Sequence, residues 1–456
     1  MSNGGKVSPA FGPFLAESGR DEKREALVVY RPPRVGELRV RGSLRELKKR
    51  LDNVKALATT QRAAQRQLFA DYAKAGGKNA AGKRESFEVS TIGANTLPVA
   101  RVEVTREHLA ELAAKPNVVA IMPNQKVHLI RPREVDYDAL TRRESRDGLT
   151  WGLRELGIPE LWKKTKGTDI NVAVLDTGVH GEHAALDGRV KEFIVIDPLG
   201  RRVETTKGKT FDSDSHGTHV CGTVAGGKTP EGVSIGVAPQ ANLLVAAVIF
   251  GGATLRAVFE GVSWAVEHGA DVISMSLGFT YYEPLFAEFF QILIDQYGVL
   301  PVASIGNENY GNSSSPGNAH NALSVGAAEK MARGKLEVAP FSSGASLAFP
   351  AENPPRFVTK PDVVAPGVQV YSCIPPEERR DGVYEYNYMD GTSMATPHVA
   401  GAVALLMAAK PAAPLEDIVT ALKQTAKHPS GDDPNRQDNR WGFGIIRPVE
   451  ALKALS

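Results

Sequence analysis

The feature that most constrains this chain is the run Asp390-Gly391-Thr392-Ser393-Met394-Ala395-Thr396-Pro397-His398-Val399-Ala400-Gly401. From Val399 to Met407 every position is apolar, so a helix here has no face to turn to water and must lie inside a large core. Pro411 marks its end. Pro397 is expected in the first turn, where amide hydrogens lack intrahelical partners. Ser393 then falls where a glycine turn becomes a helix. Free backbone N–H groups and the positive end of the helix dipole suit an oxyanion forming beside its hydroxyl. Taken alone, Gly-Thr-Ser reads equally as an ordinary helix N-cap.

Two further segments bear on that choice. Asn171-Val172-Ala173-Val174-Leu175-Asp176-Thr177-Gly178 is an unbroken apolar run closed by a carboxylate and a glycine. Such runs form parallel strands covered on both faces, and α/β sites gather at the carboxyl ends of those strands. Asp214-Ser215-His216-Gly217-Thr218-His219 then opens a small-residue helix through Gly226. A serine hydroxyl is a poor nucleophile at neutral pH and needs a base; His216 can serve, with a carboxylate such as Asp176 fixing its tautomer. An Asx turn at Asp176 and a helix cap at His216 are the bland readings of the same residues.

Asp176, His216 and Ser393, in that chain order and on a strand end and two helix starts, resemble the subtilisin family of serine proteases. The resemblance covers roughly residues 150–450. It implies an α/β three-layer fold around a mainly parallel sheet, a catalytic triad of these three residues, and protein or peptide substrates. It further implies that Asn307, in Ser304-Ile305-Gly306-Asn307-Glu308, points its amide at the oxyanion. By the same resemblance Ser276, Leu277 and Gly278 form one edge that pairs with substrate, and Phe250 and Gly251, in Ile249–Gly252, the facing one. Ser304, Ile305 and Gly306 would line the primary specificity pocket, with Glu308 at its rim. Some family members bind calcium, so calcium is possible by resemblance. Here Gly227–Ser234 replaces the asparagine-bearing calcium loop, and Asp212 and Asp214 form no readable calcium site, so no metal or other cofactor is assigned. His219 and His398 are expected to be packed structural histidines, and Cys221 a small buried residue.

With 456 residues the chain exceeds one domain of about 100–200. Residues 1–23 are expected to be a flexible tail with one anchoring patch at Phe11–Leu15. Residues 24–130 read β-α-β-β-α-β, a small ferredoxin-like α+β domain. Its strands are expected at Ala26–Tyr30, Phe87–Ser90, Leu97–Val104 and Val118–Met122; its helices run from Ser43 to about Ala75 and onward from a Thr105 cap. In front of a subtilisin-like domain this resembles the family's propeptide or inhibitor domain, which implies an intramolecular inhibitor and a self-inhibited zymogen. An unrelated α+β binding module stays open. Residues 131–148 are rich in charge and read as an exposed linker, and 149–456 as the protease domain.

Residues 1–148 hold 28 Lys and Arg against 18 Asp and Glu, a net of +10, and the remainder nets −8. The basic part carries no zinc spacing or aromatic–glycine motif for nucleic acid, so attraction between the two parts is the simpler reading. Two cysteines, Cys221 and Cys373, provide no disulfide framework. No N-terminal apolar run reads as a signal peptide and no stretch approaches about 18 apolar residues, so a cytoplasmic protein without membrane contact is expected. Two alternatives stand beside a general endopeptidase: a dedicated intracellular processing protease with one partner substrate, and an inactive peptide-binding protein of the same fold.

Overall fold

The computed structural model describes residues 5–17, 19, 22–31, 44–74, 88–134, 142–205, 209–250, 252–331, 334–349, 356–380, 382–431 and 436–455. The apolar runs of the C-terminal part form one nine-stranded sheet. From one edge its order is Leu336–Val338, Leu323–Lys330, Leu300–Ser304, Val272–Met275, Asn171–Asp176, Asn242–Ala247, Val190–Ile196 and Arg202–Val203, with Val363–Pro366 also beside Leu323–Lys330. Every pairing is parallel except the two at the edges, Leu336–Val338 and Arg202–Val203 on their neighbours.

Alternation along the central strand explains the layers. Val172 and Val174 face a core shared with helices His216–Ala225 and Thr392–Ala409. Ala173 and Leu175 face the opposite core, built with helices Leu255–Glu267 and Leu285–Ile292. A strand with period two and apolar residues on both faces must be covered twice, and it is. Chain order reverses around Asn171–Asp176, whose neighbours lead to opposite halves of the sheet. Crevices at the carboxyl ends of strands form at such switch points.

Helix Thr392–Ala409 is buried from Thr392 to Met407. By length and composition alone it could cross a membrane, but it is the innermost helix of the fold. Pro397 departs from expectation: it lies inside the helix, beyond the first turn. Its missing N–H leaves the Ser393 carbonyl without the usual i+4 donor, and Ser276 Oγ donates to that oxygen at 3.4 Å.

The N-terminal part forms a four-stranded antiparallel sheet in the order Val89–Thr91, Val99–Val104, Arg24–Tyr30, Val118–Pro123, with helices Leu44–Lys74 and Arg106–Ala114. The Thr105 hydroxyl caps the second helix, accepting from His108 N. Here too the strands alternate. Ala26, Val28 and Tyr30 pack with Phe69, Leu109 and Leu112, whereas Leu27, Val29, Ala120 and Met122 join the core of helices Leu255–Glu267 and Leu285–Ile292. The small sheet is thus cemented to the large unit by one of its apolar faces.

Two expected segments behave differently. Within the tail, residues 5–17 are packed: Phe11 and Phe14 are buried, Ser8 N donates to Ile121 O at 2.9 Å, and Ser8 Oγ bonds the buried Glu283 carboxylate. Anchorage therefore extends beyond Phe11–Leu15. Within the linker, 135–141 lie outside the described residues, but the rest is engaged. Arg133–Glu134 pairs antiparallel with Met389–Asp390. Glu144, on helix Arg142–Asp147, is buried, accepting from Trp151 N at 3.0 Å and from the Tyr388 hydroxyl. A buried carboxylate needs such donors, and one of them, Tyr388, comes from far along the chain.

Candidate active site

Asp176 is the last residue of strand Asn171–Asp176, and His216 the first of helix His216–Ala225. His216 Nδ1 lies 2.7 Å from Asp176 Oδ1, and both side chains are fully buried. The same oxygen accepts from Thr177 N at 2.7 Å. Burial pulls the imidazole towards neutrality, but the charges and hydrogen bond of Asp176, aided by Asp212 and Asp214, outweigh it and hold His216 above its ordinary value. Ser393 sits in the first turn of helix Thr392–Ala409. Its hydroxyl donates at 2.8 Å to Ile130 O, and His216 Nε2 is buried with no hydrogen-bond partner among the described residues.

Asn307 follows strand Leu300–Ser304. Its side-chain oxygen accepts from Thr392 N at 3.0 Å and Thr392 Oγ1 at 2.9 Å. Those two donors fix the amide, so its NH2 group faces the cleft, where it donates to Arg131 O at 2.8 Å. Asp176 is thus bonded to His216, and Asn307 to Thr392 beside Ser393, while the adjacent residues Ile130 and Arg131 meet Ser393 and Asn307.

The cleft is filled by the chain itself. Leu277–Gly278 pairs antiparallel with His128–Leu129, and Ile130 N donates to Ser276 O at 3.2 Å. Across the strand, Val127 N donates to Ala253 O at 3.0 Å and Leu255 N to Gln125 O at 2.9 Å. The facing edge thus lies at Ala253–Leu255 and not at Phe250. Phe250 is exposed and packs edge-on against Phe211, as a surface turn would, and Gly251 lies outside the described residues. Ser276 and Leu277 are buried beneath the strand.

Ser304 and Ile305 are buried as well. Gly306 adopts φ +115, and a Cβ there would lie 2.2 Å from Glu308 Oε2, so only glycine fits. That Glu308 oxygen accepts from Ser314 Oγ at 3.0 Å and Ser343 Oγ at 3.1 Å. The Glu308 carboxylate is tied under Gly306 and is more than a solvated rim charge.

His219 donates from Nε2 to Val370 O at 2.9 Å, and His398 from Nδ1 to Met394 O at 2.8 Å. Burial lowers both, to about 3 and about 4, so they are neutral packing groups. Burial pushes the Cys221 thiol well up. No group of three or more His, Cys, Asp or Glu side chains suited to a metal ion occurs among the described residues.

Three comparisons place these features. A family model described as the subtilase family matches residues 167–444. Fervidolysin of Fervidobacterium pennivorans is 33% identical over 366 residues, covering 74% of this chain and 48% of that protein, so the chain spans about half its length. An intracellular serine protease of Paenibacillus polymyxa is 30% identical over 347 residues, covering 73% of this chain and 94% of the relative. The crystal structure of fervidolysin, titled a keratinolytic enzyme related to subtilisin, superposes with a TM-score of 0.65 at 25% identity, covering 96% of this chain and 62% of that one.

Proposed function

The chain belongs to the subtilase family, and from that premise we propose that it is a serine endopeptidase held as a self-inhibited zymogen by its own N-terminal part. Ser393 Oγ attacks the carbonyl carbon of a peptide bond. His216 Nε2 takes the hydroxyl proton, and Asp176 stabilises the imidazolium that results. Asn307 Nδ2 donates to the oxygen as it becomes an oxyanion. His216 then passes its proton to the leaving amine, and water hydrolyses the acyl-enzyme by the same steps. Substrate adds as a strand between Ser276–Gly278 and Ala253–Leu255, gaining main-chain hydrogen bonds whatever its sequence.

One observation carries the zymogen reading: residues 125–131 occupy the place of that strand, bonding Ser393 and Asn307 directly. The strand is bound in a manner that resists attack. Ser393 faces the carbonyl of Ile130 while Asn307 holds the carbonyl of Arg131, whereas attack needs one carbonyl at both. In this reading the four-stranded unit is a ferredoxin-like inhibitor domain, 24–130, and 131–148 is the stretch opened on activation. Casein hydrolysis, with fluorophosphonate labelling of the active serine, tests the reaction. Wild type should turn over and label at Ser393, and Ser393→Ala should do neither. Binding of peptides without turnover would favour the inactive peptide-binding alternative.

A further inference from the structure

Asp212 has no part in the steps above, yet it touches both sides of the Asp176–His216 pair. It lies on the loop leading into helix His216–Ala225. Its Oδ1 accepts from Thr177 Oγ1 at 2.6 Å and Asp214 N at 3.2 Å. Its Oδ2 accepts from Thr218 N at 2.7 Å and Thr218 Oγ1 at 2.6 Å. Thr177 adjoins Asp176, and Thr218 lies two residues past His216.

The hydroxyls carry the connection further. Thr177 Oγ1 accepts from Gly217 N at 2.9 Å, and Thr218 Oγ1 accepts from His180 N at 2.9 Å. A Cβ on Gly217 would lie 2.1 Å from Gly178 O, so the strand end and helix start meet backbone to backbone. Since each hydroxyl already accepts from an amide, its single proton is committed to Asp212. Burial holds the Asp212 carboxyl above its ordinary value, but four donors converge on its two oxygens, an arrangement that fits the ionised carboxylate at neutral pH.

We propose that Asp212 is a positioning residue for His216, holding the strand end that carries Asp176 against the helix start that carries His216 and adding a fixed negative charge beside the imidazole. This rests on His216 being the general base. The charged or titratable groups around His216 are Asp176 on the strand, Asp212 and Asp214 on the loop, His219 on its own helix, and Arg131 on the occupying strand. Asp214 is ion-paired with Arg131 at 3.3 Å and partly exposed, so solvent and the guanidinium blunt its effect. Asp212 is more buried and meets hydroxyls and amides alone among its described partners. Its charge favours imidazolium, so removing it should let His216 stay neutral to lower pH.

The test is the pH dependence of kcat and KM on a peptide substrate for the full chain, its Asp212→Asn variant and an Asp214→Asn comparator. Asp212→Asn should lower kcat about tenfold with KM within about twofold, and move the acid limb of the profile down by about half a pH unit or more. Asp214→Asn should move it less. An acid limb in Asp212→Asn that coincides with wild type, in an active wild type, would overturn the inference and leave the triad reading intact. Absence of Ser393-dependent turnover in wild type would overturn that reading and this inference with it. Should Asp212→Asn not fold, Thr218→Val cuts one link without a charge change. It should lower kcat with the limb in place, and Thr218→Ser should restore the rate. Wild-type kcat in Thr218→Val would count against Asp212 equally.

Discussion

The proposed catalytic site and the segment that fills it are held by different means. Asp176, His216, Ser393 and Asn307 all stand on or beside elements of the nine-stranded unit, where Asp176 bonds His216 and Thr177, and Asn307 bonds Thr392 beside Ser393. At Ser393 and Asn307 the N-terminal part contributes backbone carbonyls, from Ile130 and Arg131, and beside them the Arg131 side chain pairs with Asp214. Its own hold on the large unit is made elsewhere. Arg50 donates to Asp271 at 2.5 Å and to Gly269 O, Gly93 N to Glu260 at 2.5 Å, and Thr96 Oγ1 to Glu267 at 2.8 Å. Arg202 pairs with both of those glutamates. In the proposed reading the N-terminal part therefore covers the site and does not build it.

The comparison breaks first if the machinery is wrongly assigned. Ser393→Ala should abolish turnover by about 10⁶-fold, the loss that such a change brings in subtilisin, the source of that magnitude. Asn307→Ala comes next, with kcat down by roughly 10²–10³ and KM little changed, again a subtilisin value. A change confined to KM would make Asn307 a substrate contact. The hold of the covering part is tested by Arg50→Ala in the full chain. Asp271 keeps its bond from Asn171 N at 2.9 Å but loses a buried cation. The lag before activity appears should shorten by about 10-fold or more, with the final turnover unchanged. An unaltered lag would show that this ion pair does not hold the cover.

The smallest effect is the pH profile. The general base works as neutral imidazole, and Asp176, Asp212 and Asp214 outweigh burial to hold His216 above its ordinary value. Activity should therefore fall as pH drops through a midpoint above about 6.5, with less than half the plateau rate left at about pH 6.5. A midpoint clearly below that value would contradict the charge balance described around His216.

What could be read from sequence divides along the same line. Asp176, His216 and Ser393 were visible because strand ends and helix starts leave local marks: an apolar run stopped by a carboxylate, small residues around histidine, and glycine before a helix. Apolar runs at Ala26–Tyr30 and Val118–Met122 similarly marked two strands of the small sheet. Contacts between distant charged residues left no such mark. Arg50 and Glu144 have side chains whose ordinary place is solvent, and their burial depends on partners such as Asp271 and Tyr388, more than two hundred residues away. The extended stretch that continues the last strand of the small sheet can be read from sequence as a substrate-like strand entering the cleft, but which of its carbonyls meets Ser393 and which Asn307 cannot. Main-chain pairing depends little on side chains, so the composition of 131–148 spoke only of charge. Phe250 was assigned by family resemblance alone, and an aromatic beside glycines fits a surface turn as well as a pairing edge.

The central claim, that the chain's own strand closes the site until it is cut, is tested most directly by intact-mass measurement and N-terminal sequencing of purified wild type and Ser393→Ala, sampled as activity appears. Wild type should gain activity only as a new N-terminus emerges between about Leu129 and Gly148, while Ser393→Ala stays a single 456-residue chain. Full activity from an uncut wild-type chain would contradict the account.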